Sequence, residues 1–493
     1  MKKNKFLLSF VIGMFLTQYC VAQKANTTNL RYSKKPNVVV VMCDDLGYAD
    51  VGFNGCKDIP TPNIDRIAAS GVTFKNGYTS YSVCGPSRAG FITGRYQQRF
   101  GFERNPQYKP KDPKMGLPKD EQTIAESLSK VGYSSGIIGK WHLGAHISNH
   151  PLNRGFNEFF GHLGGGHSYF PENLIIENSY FKEDEVVIKG KNLKPSRKIS
   201  AESASYRTFI MRNHKPVKTQ KYLTDEFSDE AVRFVEKYKN EPFFLFLSYN
   251  APHAPLEASK KYLDRFSSIE NKKRKTYAAM VSAVDDGVGR VLNKLEELNL
   301  DEDTIIFFLS DNGGPEHSNA SNNGMLRDGK GSIYEGGFRV PFAMQWKGKI
   351  KAKVYEHPVS SLDIFSTIAN LSKAPILKDK PLDGVNIIPY LKGEIDSIPH
   401  NNIYLRKYDS NLHSVRDHNL KLVVKNNGKT KELYNLKNDI GEKNNISEIY
   451  PEEVKRLNLI LVEWESQLID PTFLGLIHTK AWLKKSKSKN KKL

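Results

Sequence analysis

Cysteine is scarce, with four in 493 residues. So few thiols exclude a small disulfide-built scaffold. Long apolar runs are missing as well. Residues 6–15 form an apolar stretch too short to cross a bilayer, and no later stretch is longer, so stable membrane insertion is not expected. Acidic residues fall short of basic ones, 54 against 73, which leaves a formal charge of +19. That balance predicts long-range attraction to a polyanion. Nucleic acid is not the expected one, because no zinc-finger, RRM, KH or helix-turn-helix signature accompanies the charge. No internal repeat is visible. The glycine-rich run Gly161 to His167 lacks the Lys-Ser/Thr pair of a phosphate-binding P-loop.

What is present begins with a charged leader. Lys2, Lys3 and Lys5 precede the apolar stretch, and Cys20-Val21-Ala22 puts small residues where a leader peptidase cuts. Residues 1–22 are therefore predicted to be a cleaved signal peptide. Bulky Tyr19 argues against lipid attachment at Cys20. Cleavage leaves Cys43, Cys56 and Cys84. Cys43 ends an apolar run and reads as core; a Cys43–Cys56 bridge stays open. Six lysines crowd residues 484–493, a basic tail.

Residues 36–385 alternate buried strands with helices. The runs 37–42, 135–139, 242–248 and 304–310 are apolar with many β-branched or aromatic residues, as strands buried on both faces must be. Helical spacing recurs over 61–71, 123–130, 225–237 and 276–298. Strand–helix alternation predicts an α/β/α sandwich around a mostly parallel sheet. After about residue 385 the texture shifts to short strands with polar turns, then a helix from Pro451. Residues 386–483 are read as a small α+β C-terminal domain. Residues 151–222 are irregular and read as long loops over the site. His162 and His167 lie there; a surface location is favoured over substrate contact.

Polar residues appear at once where the buried strands stop, which places a site at the carboxyl edge of the sheet. Asp44 and Asp45 follow the first strand. Adjacent carboxylates repel unless a cation lies between them, and oxygen-rich sites suit hard cations. Asp311 and Asn312 follow another strand and complete four oxygen-bearing side chains of the kind calcium prefers. Lys140 and His142 end a third strand. His253 follows a fourth, between Pro252 and Pro255. Asp285 and Asp286 are read as structural or solvent-facing. Cys84 by itself could be a nucleophile, a redox thiol or a buried small side chain, and packing is the commoner role.

The string around Cys84 changes that balance. Cys84-Gly85-Pro86-Ser87-Arg88, continued to Thr93-Gly94-Arg95, resembles the signature of the type I sulfatases, relatives of alkaline phosphatase. Gly139-Lys140-Trp141-His142-Leu143-Gly144, Pro252-His253-Ala254-Pro255 and the stretch from Gly329-Lys330 through Glu335-Gly336-Gly337 to Arg339-Val340-Pro341 resemble further motifs of that family. Cys43 and Asp328 stand where the family often has small residues. The resemblance implies an alkaline-phosphatase-like fold over the whole mature chain. It implies that Cys84 is oxidised to formylglycine by a maturation enzyme. It also implies that Asp44, Asp45, Asp311 and Asn312, with position 84, hold calcium. Arg88, Lys140 and Lys330 would stabilise the sulfate oxygens. His253, with Lys330, would protonate the departing alcohol, and His142 would deprotonate the remaining hydroxyl. Asp311 is a candidate to take the nucleophile's proton. The expected substrate is a sulfated polysaccharide or oligosaccharide, met in the periplasm or outside the cell. The alternatives are a phosphonate or phosphate ester hydrolase of the same superfamily, and an unmatured, non-catalytic protein that binds sulfated glycans.

Overall fold

The computed structural model describes residues 35–171, 185–188, 197–200 and 209–478. The leader, the basic tail and residues 172–184, 189–196 and 201–208 of the loop region 151–222 lie outside them.

The centre of the molecule is the strand Asn37–Cys43. Its sequence, NVVVVMC, is apolar on both alternating faces, and all seven residues are buried. It lies between Phe243–Ser248 and Thr304–Ser310, parallel to both, with Val40 opposite Phe246 on one side and Phe307 on the other. Ser134–Lys140 and Glu158–His162 extend the parallel sheet beyond Phe243–Ser248. Antiparallel strands close the flanks: Phe342–Trp346 beside Thr304–Ser310, and Ile210–Arg212 beside Glu158–His162. The sheet has ten strands in all.

Each face carries helices. Val39, Val41, Leu245, Leu247 and Phe308 meet Phe227 and Phe234 of the helix Leu223–Lys237, and Val281 and Val284 of Lys272–Glu297. On the opposite face Phe91 of the helix Cys84–Thr93 rests on Phe246, with ring centroids 4.9 Å apart. The expected sandwich is therefore present. Lys272–Glu297 begins four residues before its apolar spacing does, because Asn271 caps it: its Oδ1 accepts the N–H groups of Lys273 and Arg274. Asp285 is structural, accepting the N–H groups of Asn63 and Ile64 at the start of the helix Pro62–Ala69. Periodicity gives no sign of the helix Cys84–Thr93, whose ten residues are all buried and mostly small.

The C-terminal part is an antiparallel meander of Asn402–Lys407, Leu412–Asp417, Leu420–Lys425 and Thr430–Asn435. One face takes the helix Pro451–Glu465 through Leu457, Leu461 and Trp464. Trp464 stacks on Tyr404 with centroids 4.6 Å apart and planes within 5°, a contact worth about 1 kcal/mol beyond its buried area. Ile403, Leu405, Val423 and Tyr434 face the other way, onto Tyr78, Tyr81, Ile333, Tyr334 and Phe338. Strand alternation thus divides the meander between its own helix and the larger sheet. Among the described residues no helix is long and apolar enough to cross a membrane.

Candidate active site

The parallel strands deliver their polar ends to one edge. Asp44 and Asp45 follow Asn37–Cys43, Asp311 and Asn312 follow Thr304–Ser310, and Lys140 ends Ser134–Lys140. Cys84 opens the helix Cys84–Thr93. These residues are separated by up to hundreds of positions and still converge. Cys84 Sγ is 3.2 Å from Asp44 Oδ1 and 3.1 Å from Lys330 Nζ. Lys140 Nζ lies 2.5 Å from Asp44 Oδ2, and Lys330 Nζ 2.6 Å from Asp45 Oδ1. His253 Nε2 is 3.6 Å from Asp45 Oδ2. Ligand-capable atoms of Asp44, Asp45, Cys84 and His253 all fall within 4.8 Å of one another.

Arg88 is nearly inaccessible, at 1% exposure. Its Nε donates to Asp311 Oδ2 at 2.8 Å, and its Nη1 to Ser248 Oγ at 2.5 Å and the Lys140 carbonyl at 3.1 Å. Nη2 is buried with no partner among the described residues. The guanidinium is thus locked by three elements and keeps one donor uncommitted. Asn312 shows the same economy: its Nδ2 donates to Asp45 Oδ1 at 2.7 Å, and its buried Oδ1 accepts nothing among the described residues. Asn319 Nδ2 donates to the Asp45 carbonyl at 3.2 Å.

Burial and neighbouring charge set the protonation states. Burial would raise Asp44, but Lys140, then His253, Lys330 and Arg88, hold it well below the usual carboxylate range. Asp311 is pushed up to about 6 by burial and by the charge of Asp44, against the pull of Arg88. Burial opposes the charge on Lys140 and Lys330; Asp44 and Asp45 overcome it, so both remain ammonium. Burial, then the charges of Asp311 and Asp44, push the Cys84 thiol far up, so as a thiol it is a poor nucleophile. His142 is held neutral by burial and by Lys140 and Arg88.

Two site residues have left-handed backbone: Asp45 has φ of 67° and His142 has φ of 60°, a conformation that Asp and His adopt more readily than most non-glycine residues. The glycine run gains a role here: a Cβ at Gly165 would stand 2.7 Å from His142 Nε2, so glycine leaves the imidazole its space. The favoured surface location of His162 and His167 is wrong. They are 0% and 3% exposed, with ring centroids 5.0 Å apart. Their segment crosses the sheet edge, which local sequence does not reveal. Cys43 is buried and, like Cys56 and Cys84, carries a free thiol, so the 43–56 bridge is not formed.

Sequence reasoning overlooked Ser248, which joins Arg88 to the Lys140 carbonyl by donating to the latter at 2.7 Å. It also overlooked Tyr169, whose hydroxyl reaches the carbonyls of Asn250 at 2.7 Å and His253 at 2.8 Å. A serine ending a buried strand was the only signal for the first, and a lone tyrosine gave none for the second.

Residues 36–374 match the family model described as Sulfatase, and residues 328–466 the one described as N-sulphoglucosamine sulphohydrolase, C-terminal. N-acetylgalactosamine-6-sulfatase of Mus musculus is 33% identical over 381 residues, covering 74% of this chain and 68% of that protein. The crystal structure of Ps i-CgsB in complex with k-i-k-neocarrahexaose has a TM-score of 0.81 at 39% identity, covering 93% of this chain and 98% of the other. Phosphonate monoester hydrolase of Agrobacterium radiobacter shares the fold, with a TM-score of 0.63 at 19% identity over 89% of this chain and 97% of that one.

Proposed function

The chain belongs to the sulfatase family and is a sulfuric ester hydrolase; from that premise we propose that it desulfates a sulfated galactan oligosaccharide of the carrageenan type, using formylglycine made from Cys84 and a calcium ion. The substrate class rests on the likeness to Ps i-CgsB, whose crystal structure holds a neocarrahexaose. The basic charge of +19 agrees with a polyanionic substrate. Export by the cleaved leader, to the periplasm or beyond, and maturation by a formylglycine-generating enzyme belong to the same proposal.

The residues present fit both groups. Asp44, Asp45, Asp311 and Asn312 offer hard oxygen donors, and the unpartnered Asn312 Oδ1 is an acceptor left over for a cation. Calcium there would balance charge and orient the sulfate. Formylglycine would supply a hydrated aldehyde where an inert, protonated thiol now stands.

The chain's own residues supply the rest. Arg88, through its free Nη2, and the ammonium groups of Lys140 and Lys330 face the developing negative charge of the sulfate oxygens. Their fixed hydrogen bonds hold them ready, so little reorganisation is needed in the transition state. Asp311, held by Arg88 at 2.8 Å beside the nucleophile's position, is the candidate to accept a proton from the attacking hydroxyl. His253 Nδ1 donates to the Ala254 carbonyl at 2.6 Å, so its Nε2 can give a proton to the departing alcohol only from the imidazolium form, which burial disfavours; the ammonium of Lys330, 3.1 Å from Cys84 Sγ, already carries a proton to share in that step. Neutral His142 accepts the proton from the remaining hydroxyl as sulfate leaves.

The observation that carries this reading is Cys84, set between Asp44 and Lys330 at the helix start. Its test is tryptic mass spectrometry of the Cys84 peptide from protein made in the native host, beside turnover of matched sulfate and phosphonate esters. Conversion lowers the peptide mass by about 18 Da, and sulfate turnover should dominate. An unmodified thiol in fully active protein would overturn the mechanism. Faster phosphonate turnover would overturn the substrate class.

A further inference from the structure

Beside Lys330 lies a cavity of about 720 Å³, within the range of sites that hold small ligands. One wall is the segment from Pro315 to Tyr334; the other is the end of the C-terminal sheet, at Leu412 and Lys425. Because Lys330 Nζ is also 3.1 Å from Cys84 Sγ, the cavity adjoins the reaction centre.

The cations lining this cavity are already engaged. Lys330 pairs with Asp45 and Lys425 with Glu432. Arg327 lies 3.6 Å over the Tyr334 ring and donates to the Tyr434 hydroxyl and the Glu442 carbonyl. Lys407 differs. It stands opposite Leu412 in the antiparallel register, so both side chains leave the same face of the sheet. Its ammonium donates to the carbonyl of Gly331, a residue of the cavity wall. It is half-buried and forms no ion pair among the described residues. Burial alone lowers its affinity for a proton; no carboxylate restores it. An ammonium partly withdrawn from water without a counter-charge is costly, and an anion arriving in the cavity would remove that cost.

We propose that this cavity is the subsite for the sugar unit flanking the one that is hydrolysed, and that Lys407 binds an anionic substituent, a second sulfate, on that flanking unit. The inference rests on the sulfatase reading above and adds to it a preference for substrates sulfated on neighbouring units. Tyr334, Ile333 and Leu412 supply the apolar surface on which a sugar ring can lie, and Glu316 and Lys425 supply polar groups for its hydroxyls.

The test compares two probes with the matured enzyme: a carrageenan hexasaccharide sulfated on each flanking galactose, and the same hexasaccharide carrying only the sulfate to be removed. Lys407→Ala and Lys407→Gln should each lower kcat/KM for the first probe about tenfold more than for the second, mainly through KM. Lys407→Arg should retain the preference, and raising the salt concentration should shrink it in the wild type. An equal loss on both probes would mean that Lys407 only braces Gly331 and would overturn the proposal; so would no loss on either. If the wild-type enzyme releases sulfate from neither probe, the substrate reading has failed separately. Calorimetric titration of the first probe into Cys84→Ser protein, with and without Lys407→Ala, then decides the subsite. Binding that does not weaken in the double variant overturns it.

Discussion

Lys421→Met should weaken the join between the C-terminal sheet and the segment that follows Lys330. The Lys421 side chain is fully buried, with Nζ 3.0 Å from Glu335 Oε1 and 2.8 Å from Glu442 Oε1. Glu442 Oε2 in turn accepts the Glu335 N–H at 2.7 Å, and the Tyr78 hydroxyl donates to Glu335 Oε2 at 2.6 Å. Methionine keeps much of the volume and removes the charge, stranding two buried carboxylates near Arg339 and Arg416. Breaking a buried ion pair from one side costs about 3–5 kcal/mol. The acidity of Glu335 points the same way: burial would raise it, but Lys421, then Arg339 and Arg416, bring it down to about 2, whereas burial raises Glu442, which shares the same lysine. The sign follows from linkage: a depressed carboxylate stabilises the fold above its unfolded value and loses that contribution as pH falls toward 2. In the variant the depression of Glu335 shrinks to what Arg339 and Arg416 still supply, and protonation of Glu442 relieves its unpaired charge. The gap between variant and wild type should therefore be widest near pH 8 and narrow below about pH 5. Urea denaturation followed by circular dichroism at pH 8, 6 and 4.5 measures it. A variant within about 0.5 kcal/mol of wild type at pH 8 would refute the reasoning. So would a gap that does not change with pH.

Three further outcomes are expected. Ser248→Ala removes the short acceptor of Arg88 Nη1 while leaving the Asp311 contact; kcat should fall about tenfold with the denaturation midpoint nearly unmoved, and an unaltered kcat would show that Arg88 needs no such clamp. Gly139→Ala would put a Cβ 1.9 Å from the Ser248 carbonyl oxygen at φ of 111°; a loss of several kcal/mol, read as a collapse in soluble yield, is expected. Finally, kcat/KM for a sulfated polysaccharide should fall steeply between 50 and 500 mM salt, about tenfold, while that for 4-nitrophenyl sulfate falls much less. Equal salt dependence of the two would remove the steering role assigned to the net charge.

Much of this molecule is legible along the chain. A strand such as Asn37–Cys43, apolar at every position after Asn37, has to be buried on both faces, and only the middle of a parallel sheet offers that. Polar residues directly after such strands fall on one edge whatever the loops do, so Asp44, Lys140, His253 and Asp311 could be brought together before any coordinates. The meander at 402–435 was likewise visible in its alternation. Tertiary structure decided what depends on contacts between segments distant in sequence. The burial of His162 and His167, the clamp that Ser248 puts on Arg88, and the space Gly165 leaves for His142 have no local signature, because each is set by a neighbour tens to hundreds of residues away. The unpaired ammonium of Lys407 belongs to the same class. A lysine at the end of a strand looks solvated in the sequence, and only the packing of Gly331 against it withdraws it from water without giving it an opposite charge.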